Sequence, residues 1–159
     1  MRVPIRYLPS QLTRKDRKRQ LRALSKSRNA YKSGEYYVRP IINSFKSKKS
    51  KHILRAENMY GVERILPNQE LAGKTKCSVA ALKQIVKKGE GAYYSSGSRP
   101  NQTARSWGLA RLASSITGGK ASAVDYAILE RGCNHRTSRA FRLAKMPSYG
   151  RKHTRRVYV

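Results

Sequence analysis

The apolar positions of this chain fall into helical spacing most clearly between Lys87 and Cys133. There, turn residues, a capping residue and a 3.6-residue period agree with one another. Thr103 caps a helix that runs to about Ile116, with Leu109, Leu112, Ala113 and Ile116 at i, i+3, i+4 and i+7. Gly118 and Gly119 end it, and Ser122 opens a further helix to Arg131, with Val124, Ile128 and Leu129 on its apolar side and Gly132 as its C-cap. Just upstream, Ser78 caps a short helix carrying Val79, Leu82, Ile85 and Val86 on one face, which Gly89 and Gly91 stop. GAYYSSGSRPNQ is then a loop, as is PNQELAGKTKC at 67–77.

The N-terminal part has the same helical character with a narrower apolar stripe. Pro4 and Pro9 bracket an Ile5/Tyr7 alternation that suits an extended arm. Thr13 with Asp16 three residues later is a capping signal, and the helix it starts reaches about Tyr31, where Ser33 and Gly34 close it. Leu21, Leu24 and Tyr31 form its stripe. Glu35 to Val38 suits a short strand, Lys48 to Tyr60 a helix capped by Gly61, and Val62 to Leu66 an extended segment. Past Cys133 one helical turn is expected at Ser138 to Ala144, and after Met146-Pro147 the chain becomes basic and strand-like or irregular, with Tyr149, Tyr158 and Val159 available to dock on a neighbour. The pattern predicts a mainly α protein: a small helical domain of about four to five short helices with extended basic N- and C-terminal arms. Three segments follow: 1–61, basic arm and helices; 62–133, a compact helical module; 134–159, a basic tail.

Charge changes this picture more than composition does. Hydrophobic residues are 38% of the 159, which bounds the core to a small one. Lysine and arginine total 36 against 8 acids, a net charge of +28. Residues 1–56 carry +15, residues 57–132 carry +5 and residues 133–159 carry +8. Such ends call for an anionic partner: nucleic acid, an anionic membrane surface or acidic protein faces. Two cysteines, Cys77 and Cys133, make no disulfide framework, no apolar signal core opens the chain, and no apolar run is long enough to span a bilayer, so an interior location is expected.

Catalytic chemistry finds few parts. Cys133-Asn134-His135 pairs a thiol with an imidazole, but a zinc site would need Cys77 and His52 or His153 to converge, and no C-x-x-C or H-x-x-x-H spacing is present. Cys133 reads better as a small buried hydrophobe. The Gly118-Gly119-Lys120 and GEGAYYSSG runs do not match a phosphate loop, and helix capping is the plainer reading. No Ser/His/Asp set emerges from residue order. We therefore expect no enzyme, no metal, no cofactor and no small-molecule substrate. The cation clusters are the strong signal: Arg14, Lys15, Arg17, Lys18, Arg19 and Arg22, then Lys46, Lys48, Lys49 and Lys51, then Arg151, Lys152, Arg155 and Arg156. Charges so clustered suit a polyanion or an acidic partner, bound without base-specific reading. The tyrosine pairs 36–37 and 93–94 are able to stack on single-stranded bases, with packing the plainer role. Tyr93, Tyr94, Arg99 and Trp107 are expected to pack or dock.

The run YLPSQLTRKDRKRQ…LSKSRNAYKSGEYYVRP…SFKSKKSKH, with the SSGSRPNQT…SW…ARL…ITGGKA block, resembles an uncharacterised protein family of large nucleocytoplasmic DNA viruses, such as chlorella viruses and mimivirus relatives. The resemblance covers about residues 7–133. It implies a viral origin and supplies no catalytic residues. With the basic ends, it leads us to expect a non-enzymatic virion protein, a minor capsid component bridging other capsid proteins and anionic interior surfaces. The alternative is a packaged, sequence-independent DNA-binding or DNA-condensing protein. Partners would be other capsid proteins, viral DNA or an anionic internal membrane, and the location a virion assembled in the host cell interior.

Overall fold

The computed structural model describes residues 1–146 and 155–159. The protein is mainly α, with eight α-helices and one two-stranded sheet among the described residues. In chain order they are β1 (Arg2–Pro4), α1 (Arg14–Lys32), α2 (Lys51–Tyr60), α3 (Gln69–Thr75), α4 (Val79–Ser95), α5 (Ala104–Ile116), α6 (Lys120–Val124), α7 (Tyr126–Gly132), α8 (Arg139–Lys145) and β2 (Arg156–Tyr158). Contacts group them into two compact units that do not follow chain order. Unit 1 holds Met1–Lys48, Gly91–Ala104 and residues 155–159; unit 2 holds Lys49–Glu90 and residues 105–146.

Unit 1 is built on α1. Thr13 accepts a hydrogen bond from the Asp16 backbone N–H (3.2 Å), which satisfies one of the orphan donors of the first turn. Leu24 and Ala23 on α1 are buried, as are Val3, Tyr7, Leu8 and Ile42. The chain ends pair with one another: β1 and β2 run antiparallel with Val3 opposite Val157, and Ile5 N–H extends the pairing to the Arg155 carbonyl at 2.8 Å. Ile5–Tyr7 forms a 3-10 turn after β1. Residues 35–41, read as containing a short strand, have no regular structure, and neither do the extended residues expected from Val62 to Leu66.

Unit 2 carries the larger apolar core, in which Leu71, Leu82, Ile85, Leu112, Ile116, Leu129 and Phe141 are almost wholly buried. Gly61 caps α2 in the left-handed conformation (φ +60°), as its sequence position predicts. Three expectations need correction. Residues 67–77 are not a loop throughout: Asn68 accepts from Leu71 N–H and starts α3, a cap obscured by the Gly and Lys residues that follow. The helix expected from Ser122 to Arg131 is two helices, α6 and α7, meeting at Asp125, and Cys133 rather than Gly132 is the C-cap of α7.

The third correction concerns Gly89 and Gly91, which do not stop α4; it continues to Ser95 and takes in the first residues of the expected loop. Gly89 serves packing instead. A Cβ on Gly89 would lie 2.6 Å from the Gly108 Cα, and one on Gly108 would lie 2.6 Å from the Val86 carbonyl oxygen, so α4 and α5 approach backbone to backbone. Gly108→Ala is therefore expected to force the two helices apart and cost roughly 1–3 kcal/mol. A urea midpoint shifted down accordingly checks this; an unmoved midpoint would show that the helices separate freely.

Cys77 and Cys133 are also read differently by the fold. Both are buried, but they are joined as a disulfide rather than standing as isolated hydrophobes. They face each other across an antiparallel bridge, flanked by Ser78 N–H to the Gly132 carbonyl (2.7 Å) and Asn134 N–H to the Lys76 carbonyl (2.8 Å).

Candidate polyanion-binding face of the first helix

Nineteen residues of α1 give it about 28 Å of length, and its buried side fixes which cations are left outside. Asp16, Gln20, Ala23, Leu24 and Ser27 face the interior of unit 1. Gln20 donates to the Tyr7 carbonyl (3.2 Å) and the Ser98 carbonyl (3.4 Å), and Ser27 donates to the Tyr94 carbonyl (3.1 Å). The opposite arc exposes Arg14, Lys15, Lys18, Arg19, Arg22 and Lys26. Four of these, Arg14, Lys18, Arg22 and Lys26, follow one another at i, i+4 and make a row about 18 Å long. Like charges at that spacing oppose the helix by about 0.2–0.5 kcal/mol per step, and the cations of the first turn oppose its dipole as well. The row is therefore not there to stabilise α1.

The helix itself carries one acid, Asp16, which pairs with Arg19 beside the row. Hydrogen bonds from the Ser44 hydroxyl and backbone N–H, the latter at 3.1 Å, hold the Asp16 carboxyl below its ordinary value, with Arg19 at 3.6 Å adding to this. The same contact, with Thr13 N–H donating to Ser44 Oγ (3.3 Å), fastens the chain around Ser44 to the start of α1. Asn101 holds this segment from its other side, accepting from Ile42 N–H (2.6 Å) and donating to the carbonyls of Ile42 and Phe45. Lys46 and Lys48 are exposed on the anchored segment.

Other predicted site residues are distributed differently. Arg17 is half-buried and donates to the Leu8 carbonyl (3.3 Å), so it ties α1 to the N-terminal segment. Lys49 and Lys51 belong to unit 2, where Lys49 pairs with Glu57 at 2.8 Å. Arg155 and Arg156 are exposed in unit 1, beside and within β2; Arg151 and Lys152, like Tyr149, lie outside the described residues. Tyr93 is buried, Tyr94 half-buried and Arg99 exposed, all in unit 1, whereas Trp107 is half-buried on α5 in unit 2.

Three residues that the sequence reading passed over do more. Lys26 completes the row, and the i, i+4 spacing that would have found it was present in the sequence. Arg39 is buried in unit 1 without a carboxylate among its bonded partners: Nη1 donates to Ser27 Oγ (2.9 Å) and the Tyr93 carbonyl (2.6 Å), Nη2 to Ser98 Oγ (2.7 Å), and the guanidinium lies 3.8 Å from the Tyr93 ring centroid. Burial pulls the guanidinium below its ordinary value, partly offset by Tyr93. In unit 2, Asp125 is fully buried and accepts two hydrogen bonds from Arg111 (2.7 and 3.0 Å) and one from Ser115 (2.7 Å), with Lys88 Nζ at 3.3 Å. Both groups hold the fold together. Gly118 and Gly119 turn α5 into α6, Gly119 N–H closing on the Ser114 carbonyl at 2.8 Å. Among the described residues no three His, Cys, Asp or Glu side chains converge on a common point, and no helix is long and apolar enough to cross a membrane.

A mainly α protein with a continuous cationic row on its longest helix is thus the class that fold and surface define. The chain belongs to the DUF5824 family, a family of unknown function, whose model matches residues 4–131. No curated protein and no solved structure matches it.

Proposed function

We propose that this protein is a non-enzymatic nucleic-acid-binding protein that holds the phosphate backbone, without regard to sequence, on the exposed face of α1. The observation that carries this reading is the row Arg14, Lys18, Arg22 and Lys26, kept on a helix that it destabilises. Phosphates reverse that penalty, because each neutralised phosphate releases condensed counterions. Lys15, Arg19 and the anchored Lys46 and Lys48 widen the cationic surface of the same unit. The resemblance to proteins of large nucleocytoplasmic DNA viruses supports a place in a virion, with packaged DNA as the partner.

The test is a titration of random-sequence duplex DNA between about 50 and about 200 mM salt. Affinity is expected to be independent of sequence and to fall linearly with salt on logarithmic axes. Changing Arg14, Lys18, Arg22 and Lys26 together to glutamine is expected to reduce the slope by about 3 to 4, at roughly 0.9 per lost phosphate contact. The same resemblance favours a second reading, a minor capsid component whose cations meet acidic faces of other capsid proteins. Loss of DNA binding at about 0.15 M salt, with retained binding to capsid proteins, overturns the first reading in favour of the second.

A further inference from the structure

The aromatic surface of unit 1 extends the proposed function, on which the following inference rests. Residues 35–41 run without regular structure and expose Tyr36 (70%), Val38 (68%) and Ile41 (71%). Tyr36 is not a loose side chain: its ring stands edge-on to Tyr31 at the end of α1 (centroids 6.1 Å apart) and to Tyr94 (5.0 Å). Its neighbour Tyr37 lies under Lys26, whose Nζ is 4.5 Å from the ring centroid. Lys26 is also the last member of the cationic row, so the row runs directly into the tyrosines. Lys32 adds a further exposed cation at this end, against Glu35 as the acid of the segment.

We infer that this face also takes single-stranded nucleic acid, with the backbone on the row from Arg14 to Lys26 and a base stacked on Tyr36. Base faces are open in a single strand and covered by their neighbours in a duplex, so only the single strand offers the ring a partner. An exposed ring at the end of a cationic track is the arrangement by which such strands are held without sequence preference, since every base has a π-face. The lysines call for an anionic occupant, and the exposed Tyr36 ring beside them favours a strand with open base faces over an acidic protein surface.

Fluorescence anisotropy with a labelled oligothymidine and a duplex of equal length separates the possibilities. The intact protein is expected to bind the single strand more tightly. Tyr36→Ala is expected to weaken single-strand binding about tenfold and to leave duplex binding unchanged, whereas Tyr36→Phe, which keeps the ring, retains wild-type affinity. Circular dichroism confirms that the variants remain folded. If Tyr36→Ala leaves single-strand affinity unchanged, or if it weakens both ligands equally, the stacking assignment is overturned while the cationic-face reading stands. Binding of neither ligand by the intact protein overturns the cationic-face reading itself.

Discussion

Replacing Asp125 with alanine is expected to remove about 3–5 kcal/mol of stability, the largest effect of any single substitution considered. The carboxylate is wholly buried in unit 2, and its three donors converge from α4 (Lys88) and α5 (Arg111 and Ser115) onto the junction of α6 and α7. Its loss leaves the half-buried Arg111 guanidinium with no counter-charge in that site and leaves Ser115 Oγ without its acceptor. Thermal melting reads the effect as a fall of roughly 10 °C, given about 2–4 °C per kcal/mol for a chain of this size. A fall of only a degree or two would show that Arg111 rehydrates at little cost.

The same carboxylate sets a pH dependence. Burial pushes the Asp125 carboxyl up, but the hydrogen bonds from Arg111 and Ser115 and the charges of Arg111 and Lys88 outweigh it, and the net position is below the ordinary 3.8. A carboxyl depressed by folding contributes stability that is complete above its unfolded value and is lost as pH falls through its folded one. Wild-type protein is therefore expected to lose stability on acidification below about pH 4, and Asp125→Asn to lose less over the same range. A residual slope remains in the variant, because Asp16 is depressed as well.

Removing the disulfide is the second large effect. Cys77 and Cys133 are 56 residues apart in sequence, and closing a loop of that length restricts the unfolded chain enough to contribute about 2–4 kcal/mol. Cys77→Ala with Cys133→Ala is expected to lower the melting temperature relative to oxidised wild type and to abolish any response to reductant. Equal melting of oxidised and reduced wild-type protein would overturn this. Nothing in the spacing of two cysteines reveals such a pair, because what brings them together is the backbone pairing of residues 76–78 with 132–134, and that depends on α3, α4 and α7 being in place.

What could be read from the sequence follows the range of the interactions involved. The Thr13 cap, the left-handed Gly61 and the Ser138 cap of α8 are settled within three or four residues, and each is found where its residue type puts it. The cationic face was equally open to reading, because its spacing is that of a single helix. Gly89 misled because glycine breaks isolated helices, whereas here Gly108 needs its space. Arg39 was illegible for a related reason: Arg-Pro just past an expected strand gives no sign that Ser27, Tyr93 and Ser98 wait for a guanidinium.

Arg39 also limits how freely the neighbouring tyrosine segment moves. Residues 35–41 lack the hydrogen-bond ladder of a helix or strand, yet the segment is tethered at Arg39 by three side-chain bonds and at Ile42 by Asn101. The conformational freedom of Tyr36 and its neighbours is spent when the chain folds, not when a ligand arrives. A base stacking there, as inferred above, would accordingly meet a preorganised surface, with little ordering entropy and only the small heat-capacity change of covering a few rings.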